Sequence, residues 1–173
     1  MSIEKITAAI RDIPDFPKPG IVFKDIAPVL SDPEVFRASV DLFVERHKAA
    51  KLDKIAVIEA RGFLFGAAVA YQLGVGIALV RKKGKLPFTT VEATYDLEYG
   101  SAAVEMHTDA VAAGERVLLL DDLLATGGTA VAAAGLIEHL GATVVEVDFL
   151  IELSFLDGRE KLKGYSVFAP VVY

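Results

Sequence analysis

The chain contains no cysteine and no tryptophan. Without cysteine there is neither a disulfide framework nor a thiolate metal site, which fits a reducing compartment such as the cytoplasm. No apolar run approaches the roughly 20 residues that a bilayer span needs, so no membrane helix is expected. The opening stretch, Met1 to Phe16, carries charges throughout and lacks the apolar centre of a secretory signal. Positive charge is in deficit: 18 Lys and Arg stand against 24 Asp and Glu, for a formal net charge of −6. A general binder of nucleic acid or anionic membrane is more often basic. An anionic ligand would therefore be held by a local arrangement of amides and cations, not by the overall field. The histidines, His47, His107 and His139, match no zinc spacing.

What is present reads as one soluble α/β domain spanning residues 1–173. Ile3, Ile6, Ile10 and Ile13 fall at helical spacing after Ser2, predicting a helix over 3–13. Pro14, Pro17 and Pro19 then force an extended, irregular path. Ser31-Asp32-Pro33-Glu34 opens a second helix with a buried stripe of Val35, Phe36, Val40, Phe43 and Val44. Short apolar strands are expected at 55–58, 77–80, 117–120 and 144–151, with helices at 63–73 and 128–140, the latter closed by Gly141. Strand, loop, helix, strand is the pattern of a mainly parallel central sheet flanked by helices. Residues 82–101 are charged and glycine-bounded, and read as a mobile functional loop or a hairpin.

The strongest motif is Val117-Leu-Leu-Leu-Asp121-Asp122-Leu-Leu-Ala125-Thr126-Gly127-Gly128-Thr129. An apolar strand runs into two acids, then Thr-Gly-Gly-Thr, then a helix. Ligands of parallel α/β sheets sit at the carboxyl ends of strands, where helix N-termini point. Free amides, two glycines that let backbone come close and two hydroxyls make a phosphate cradle. The acids suit vicinal sugar hydroxyls, or magnesium directly or through water. A capped turn with a solvated acid pair would look similar for Thr-Gly-Gly-Thr alone; the upstream Asp-Asp favours a sugar phosphate. No Walker A spacing surrounds Gly84-Lys85, and Gly74-Val-Gly76 lacks the third glycine of a dinucleotide fingerprint.

This segment resembles the phosphoribosyl-diphosphate signature of the type I phosphoribosyltransferases. The blocks Phe16 to Ile26, Glu59 to Gly66, Arg81 to Pro87, Tyr95 to Gly100, and Glu152-Leu153 with Gly158 to Leu162 are similar, in order and spacing, to those of the adenine phosphoribosyltransferases. Ala27, Ala60 and Phe88 depart from the residues common at those places. The resemblance implies a type I phosphoribosyltransferase-like α/β fold, with a small N-terminal hood over residues 1–30 and a flexible active-site loop at about 82–101. It implies purine salvage, with transfer of the phosphoribosyl group of 5-phospho-α-D-ribose 1-diphosphate to adenine, giving AMP and diphosphate. Magnesium bridging diphosphate and ribose oxygens, with Asp121 or Asp122 reaching it through water, would stabilise the leaving group. A homodimer is expected from the family and from the prevalence of such assemblies.

Site residues follow from the same blocks. Asp121, Asp122, Ala125, Thr126, Gly127, Gly128 and Thr129 bind the donor. Ala60, Arg61, Arg81, Lys82 and Lys85 suit its diphosphate. Ile21 to Lys24 supplies the base site: backbone groups match the donor and acceptor edge of adenine while Phe23 stacks on the ring, with Val22 and Lys24 beside it and Leu153 on the far face. Glu98, with Tyr99, lies in a loop that closes over the reaction centre in the family pattern, and Glu98 is the expected proton acceptor; Glu105 competes for that role. Two alternatives stay open: a phosphoribosyltransferase for another purine base, and a non-catalytic sensor of phosphoribosyl diphosphate.

Overall fold

The computed structural model describes residues 3–96 and 100–173. The elements, in chain order, are α1 (Ile3–Ala9), β1 (Arg11–Pro14), β2 (Val22–Asp25), α2 (Ala27–Ser31), α3 (Pro33–His47), β3 (Lys54–Ile58), α4 (Gly62–Leu73), β4 (Gly76–Lys82), β5 (Thr90–Asp96), β6 (Ser101–His107), β7 (Arg116–Leu124), α5 (Gly128–His139), β8 (Thr143–Glu152), a 3₁₀ turn (Ser154–Leu156), α6 (Gly158–Lys161), β9 (Val167–Phe168) and β10 (Val171–Val172).

The main sheet has the order β10-β8-β7-β3-β4-β6-β5, with β9 also paired to β8. Strands β10, β8, β7, β3 and β4 run parallel; β6 and β5 join antiparallel. The sheet is thus mixed, its parallel part being the one expected. Alternation along the strands builds two cores. Ile55, Val57, Leu118 and Leu120 pack towards Phe43 of α3 and Phe65 and Val69 of α4. Ala56, Ile58, Val117 and Leu119 pack towards Ala133 and Ile137 of α5 on the other face. Both faces are covered, so these strands read as continuous apolar runs. Asp32 caps α3, its side chain accepting from the amides of Glu34 and Val35.

Three elements differ from expectation. The first helix stops at Ala9, and Ile13 lies in β1 opposite Phe23 of β2. Ile13 falls on the helical period, but the backbone of 11–14 finds its partner in β2, just across the proline turn. Residues 22–25, most of the expected base site Ile21 to Lys24, form half of a two-stranded antiparallel sheet. The short helix α2 was not anticipated. Over 82–101, the hairpin alternative applies to the described residues: β5 pairs with β6 from Thr90–His107 to Asp96–Ser101. Among the described residues, no helix is long and apolar enough to cross a membrane.

Candidate active site

Strand β7 continues through both acids to Leu124, and α5 begins four residues beyond, at Gly128. Gly127, in the left-handed region at φ 78°, turns the chain into α5, and no side chain caps that helix. The amides of its first turn thus have no side-chain cap, an arrangement able to take an anion. Asp121, Leu124, Ala125, Thr126, Gly127 and Thr129 line a concavity of about 80 Å³ beside them. The loop is backed by α6: a Cβ on Gly127 would lie 2.5 Å from the Gly158 carbonyl oxygen, and one on Gly158 would lie 2.1 Å from that of Ala125. Two backbones touch here because neither glycine carries a side chain. Arg159 latches α6 in place, its guanidinium on Glu152 and on the Val167 carbonyl at 2.9 Å.

The two acids meet the loop that opens α4. Arg61 Nε lies 2.7 Å from Asp122 Oδ2, while a Cβ on Gly62 would lie 2.8 Å from Asp121 Oδ1. The Asp122 amide donates to Asp121 Oδ1 at 2.8 Å. Burial, then the charge of Asp122, pushes the Asp121 carboxyl well above the usual carboxylate range. Asp122 is raised too, again by burial, with Arg61 opposing. Arg61 is the close charge partner of Asp122 Oδ2, a buried oxygen with no further hydrogen-bond partner among the described residues. A hydroxyl or a metal-bound water there would complete its bonding.

Arg61 also reaches the hairpin, its guanidinium carbon 5.4 Å from the Phe23 ring centroid. Phe16 packs edge-on against the same ring, 5.2 Å between centroids. Only half the backbone groups of β2 point at β1, as in any antiparallel pair, so the others are open to a ligand. Val22 is exposed. The Lys24 ammonium is engaged by Asp12 at 2.7 Å and by the face of Tyr173 at 3.6 Å. Leu153 sits against the end of β7, its amide donating to the Leu124 carbonyl at 2.9 Å.

Glu59 precedes Ala60 and binds the basic segment. Its carboxylate accepts from Arg81 Nε at 2.9 Å and from the Lys82 amide at 2.8 Å. Burial raises Glu59, but the Lys82 amide and Arg81 outweigh it and hold the group below its ordinary range. Glu98 and Tyr99 lie outside the described residues. Glu105, the competitor for the proton-acceptor role, is buried and accepts from the amides of Lys85 and Leu86, each at 2.8 Å. Burial raises it, yet the amide donors win and it lies below its ordinary range. A carboxylate so occupied is a poor base.

Asp12, Glu59, Arg159 and Tyr173 were missed from sequence as site-supporting residues. Glu59 and Arg159 lie inside the similar blocks and could have been found there; Asp12 and Tyr173 carry no local signal. The histidine reading needs one addition. His47 meets Asp148 at 2.7 Å and Glu146 at 3.6 Å, and these are the one group of possible metal ligands among the described residues. Arg46 already takes both Glu146 oxygens, at 2.7 and 2.6 Å, and Ser166 donates to one of them, which makes the group a closed ion network.

Against known proteins, a model of the phosphoribosyl transferase domain matches residues 27–163. The chain is 60% identical over 158 residues to the adenine phosphoribosyltransferase of Parvibaculum lavamentivorans, covering 91% of this chain and 90% of that one. The crystal structure of the Thermoanaerobacter pseudethanolicus adenine phosphoribosyltransferase is 53% identical, covers 99% of this chain and 100% of that one, and superposes with a TM-score of 0.96. That of the Saccharomyces cerevisiae enzyme, complexed with a dideoxy-imino-altritol bisphosphate and adenine, is 42% identical, with 98% of each chain covered and a TM-score of 0.94.

Proposed function

This chain belongs to the adenine phosphoribosyltransferases, and from that premise we propose how its residues divide the work. The enzyme is a transferase of purine salvage: adenine takes the phosphoribosyl group of phosphoribosyl diphosphate, giving AMP and diphosphate. C1 of the ribose loses diphosphate and gains a purine nitrogen through a transition state with oxocarbenium character. The protein must hold the growing charge on the leaving group, align the nucleophile and keep water away.

In our reading, the first turn of α5 with Thr126 and Thr129 takes the 5-phosphate, and Asp121 and Asp122 take the ribose hydroxyls. Ala60 and Arg61, with Arg81, Lys82 and Lys85, take the diphosphate. The outward backbone groups of β2 read the edge of adenine over Phe23, and Leu153 bounds the far side. Glu98 accepts the proton from the base and Tyr99 closes with it. Residues 1–30 act as a hood and 82–101, a hairpin in its described part, as the active-site loop. Magnesium would suit Asp122, whose buried Oδ2 has Arg61 as its close partner and no further donor, with Asp121 beside it; when bound it would neutralise charge on the leaving group. Asp121 or Asp122 would hold it through water.

The observation that carries this reading is Arg61, which touches Asp122 on one side and Phe23 on the other. One side chain thus spans the places assigned to sugar and base. We also infer a cytoplasmic homodimer. The dimer is supported by Leu64 and Tyr71 on α4 and Ile77 and Leu79 on β4, all exposed apolar residues, Tyr71 by 87%. They lie beside a length of β4, Gly76–Val80, that pairs only with β3 among the described residues.

The test is AMP formation from adenine and phosphoribosyl diphosphate, with magnesium and with a chelator, beside hypoxanthine, guanine and xanthine. Magnesium-dependent turnover of adenine alone is expected. Turnover of another base in its place would move the base site, and donor binding without any turnover would favour a sensor.

A further inference from the structure

Glu105 is an acid buried beneath a basic run, and it bonds to backbone instead of to the neighbouring cations. It stands opposite Arg81 across the β4–β6 pairing. One of its oxygens accepts the amides of Lys85 and Leu86, each at 2.8 Å. The side chains of Lys82 and Lys85 remain exposed. A buried carboxylate is costly unless its hydrogen bonds are made, and here main-chain donors make them. The charge of Glu105 is thereby satisfied without an ion pair to either ammonium.

The Lys85 peptide is gripped from both sides. Its N–H donates to Glu105, and its carbonyl accepts from Arg81 at 3.1 Å. Arg81 in turn donates to Glu59, which runs directly into Ala60 and Arg61. Glu59, Arg81, the Lys85 peptide and Glu105 thus form an unbroken chain of contacts joining the loop before α4 to the turn after β4.

We propose that Glu105 is a positioning residue for the donor: it fixes the turn 83–86 so that Arg81, Lys82 and Lys85 form one cationic surface for diphosphate, aligned with Arg61. This rests on the assignment of that run to diphosphate in the proposed function. Because Glu105 touches no substrate, its loss acts on donor recognition and leaves the base site alone.

The experiment measures KM for phosphoribosyl diphosphate, KM for adenine, kcat and inhibition by diphosphate at saturating magnesium, for wild type, Glu105→Gln, Lys82→Ala and Lys85→Ala, with a thermal melt of each. Glu105→Gln keeps the shape and an acceptor oxygen but loses the charge. It should raise the donor KM and the diphosphate inhibition constant roughly tenfold, as expected when charge-assisted bonds become neutral ones. The adenine KM should stay unchanged. A donor KM unchanged in Glu105→Gln, or a loss shared equally by both KM values, would overturn the proposal. If Lys82→Ala and Lys85→Ala leave the donor KM unchanged, the diphosphate assignment itself falls and the clamp falls with it. If they raise it and Glu105→Gln does not, only the clamp falls.

Discussion

Phe23 and Lys24 are neighbours in one strand with opposite employment. Phe23 offers a ring face bounded by Phe16 and Arg61, whereas the Lys24 ammonium is taken by Asp12 and Tyr173. If backbone reads the base, Lys24→Ala should keep the preference for adenine over hypoxanthine while loosening the hairpin. Phe23→Ala should weaken adenine binding by about 0.5 to 1.5 kcal/mol beyond its lost area, the usual worth of an aromatic contact. Competition kinetics with both bases measures this, and a specificity switch in Lys24→Ala would assign the reading to its side chain. At this scale the sequence was informative wherever a residue sat inside a motif: Arg61, Asp121, Asp122 and Thr129 all lie where a strand hands over to a helix. Asp12 and Tyr173 were illegible because their partner, Lys24, is set by the fold and not by spacing.

Elements show the same division. Strands β3, β7 and β8 were readable because burial on both faces leaves a plain apolar run. Strand β1 was not, because Ile13 continues a helical period by coincidence and its true partner, β2, lies across the proline turn. Helix α6 lies in one of the similar blocks, and its Gly158 packs against the loop 125–127 assigned to the donor. Gly158→Ala would place a methyl 2.1 Å from the Ala125 carbonyl oxygen, so the loop 125–127 must move. A shift near 1 Å in a positioning element costs on the order of 10²-fold in rate, and kcat/KM for the donor should fall by about that much. Near-normal donor kinetics in a folded Gly158→Ala would show that the loop does not depend on its backing.

Across the whole molecule, the far end of α3 is tied to β8 by charges that do no chemistry. Asp148 is fully buried, its carboxyl raised above the usual range chiefly by burial, and His47 is its partner at 2.7 Å. One of its oxygens already lacks a hydrogen bond. Removing the partner strands a buried acid, which typically costs about 3 to 5 kcal/mol. His47→Ala should therefore lower the melting temperature sharply while leaving both KM values unchanged below the transition. Altered substrate constants with an unchanged melt would mean that the network communicates with the site. None of this was visible as a motif, since His47, Glu146 and Asp148 meet only after β8 is laid beside β7.

The Lys24–Tyr173 contact bears on how the enzyme comes into being on the ribosome. The hairpin assigned to the base is synthesised well before β10, yet the aromatic face against its lysine follows β10. Strand β10 itself can only dock once β8 is in place. A nascent chain lacking β10 could already hold β7, α5 and α6, the elements of the phosphate cradle, while its hairpin was still unanchored at Lys24. Affinity for phosphate would therefore mature before affinity for the base, and a chain truncated just short of β10 would retain more of the first than of the second.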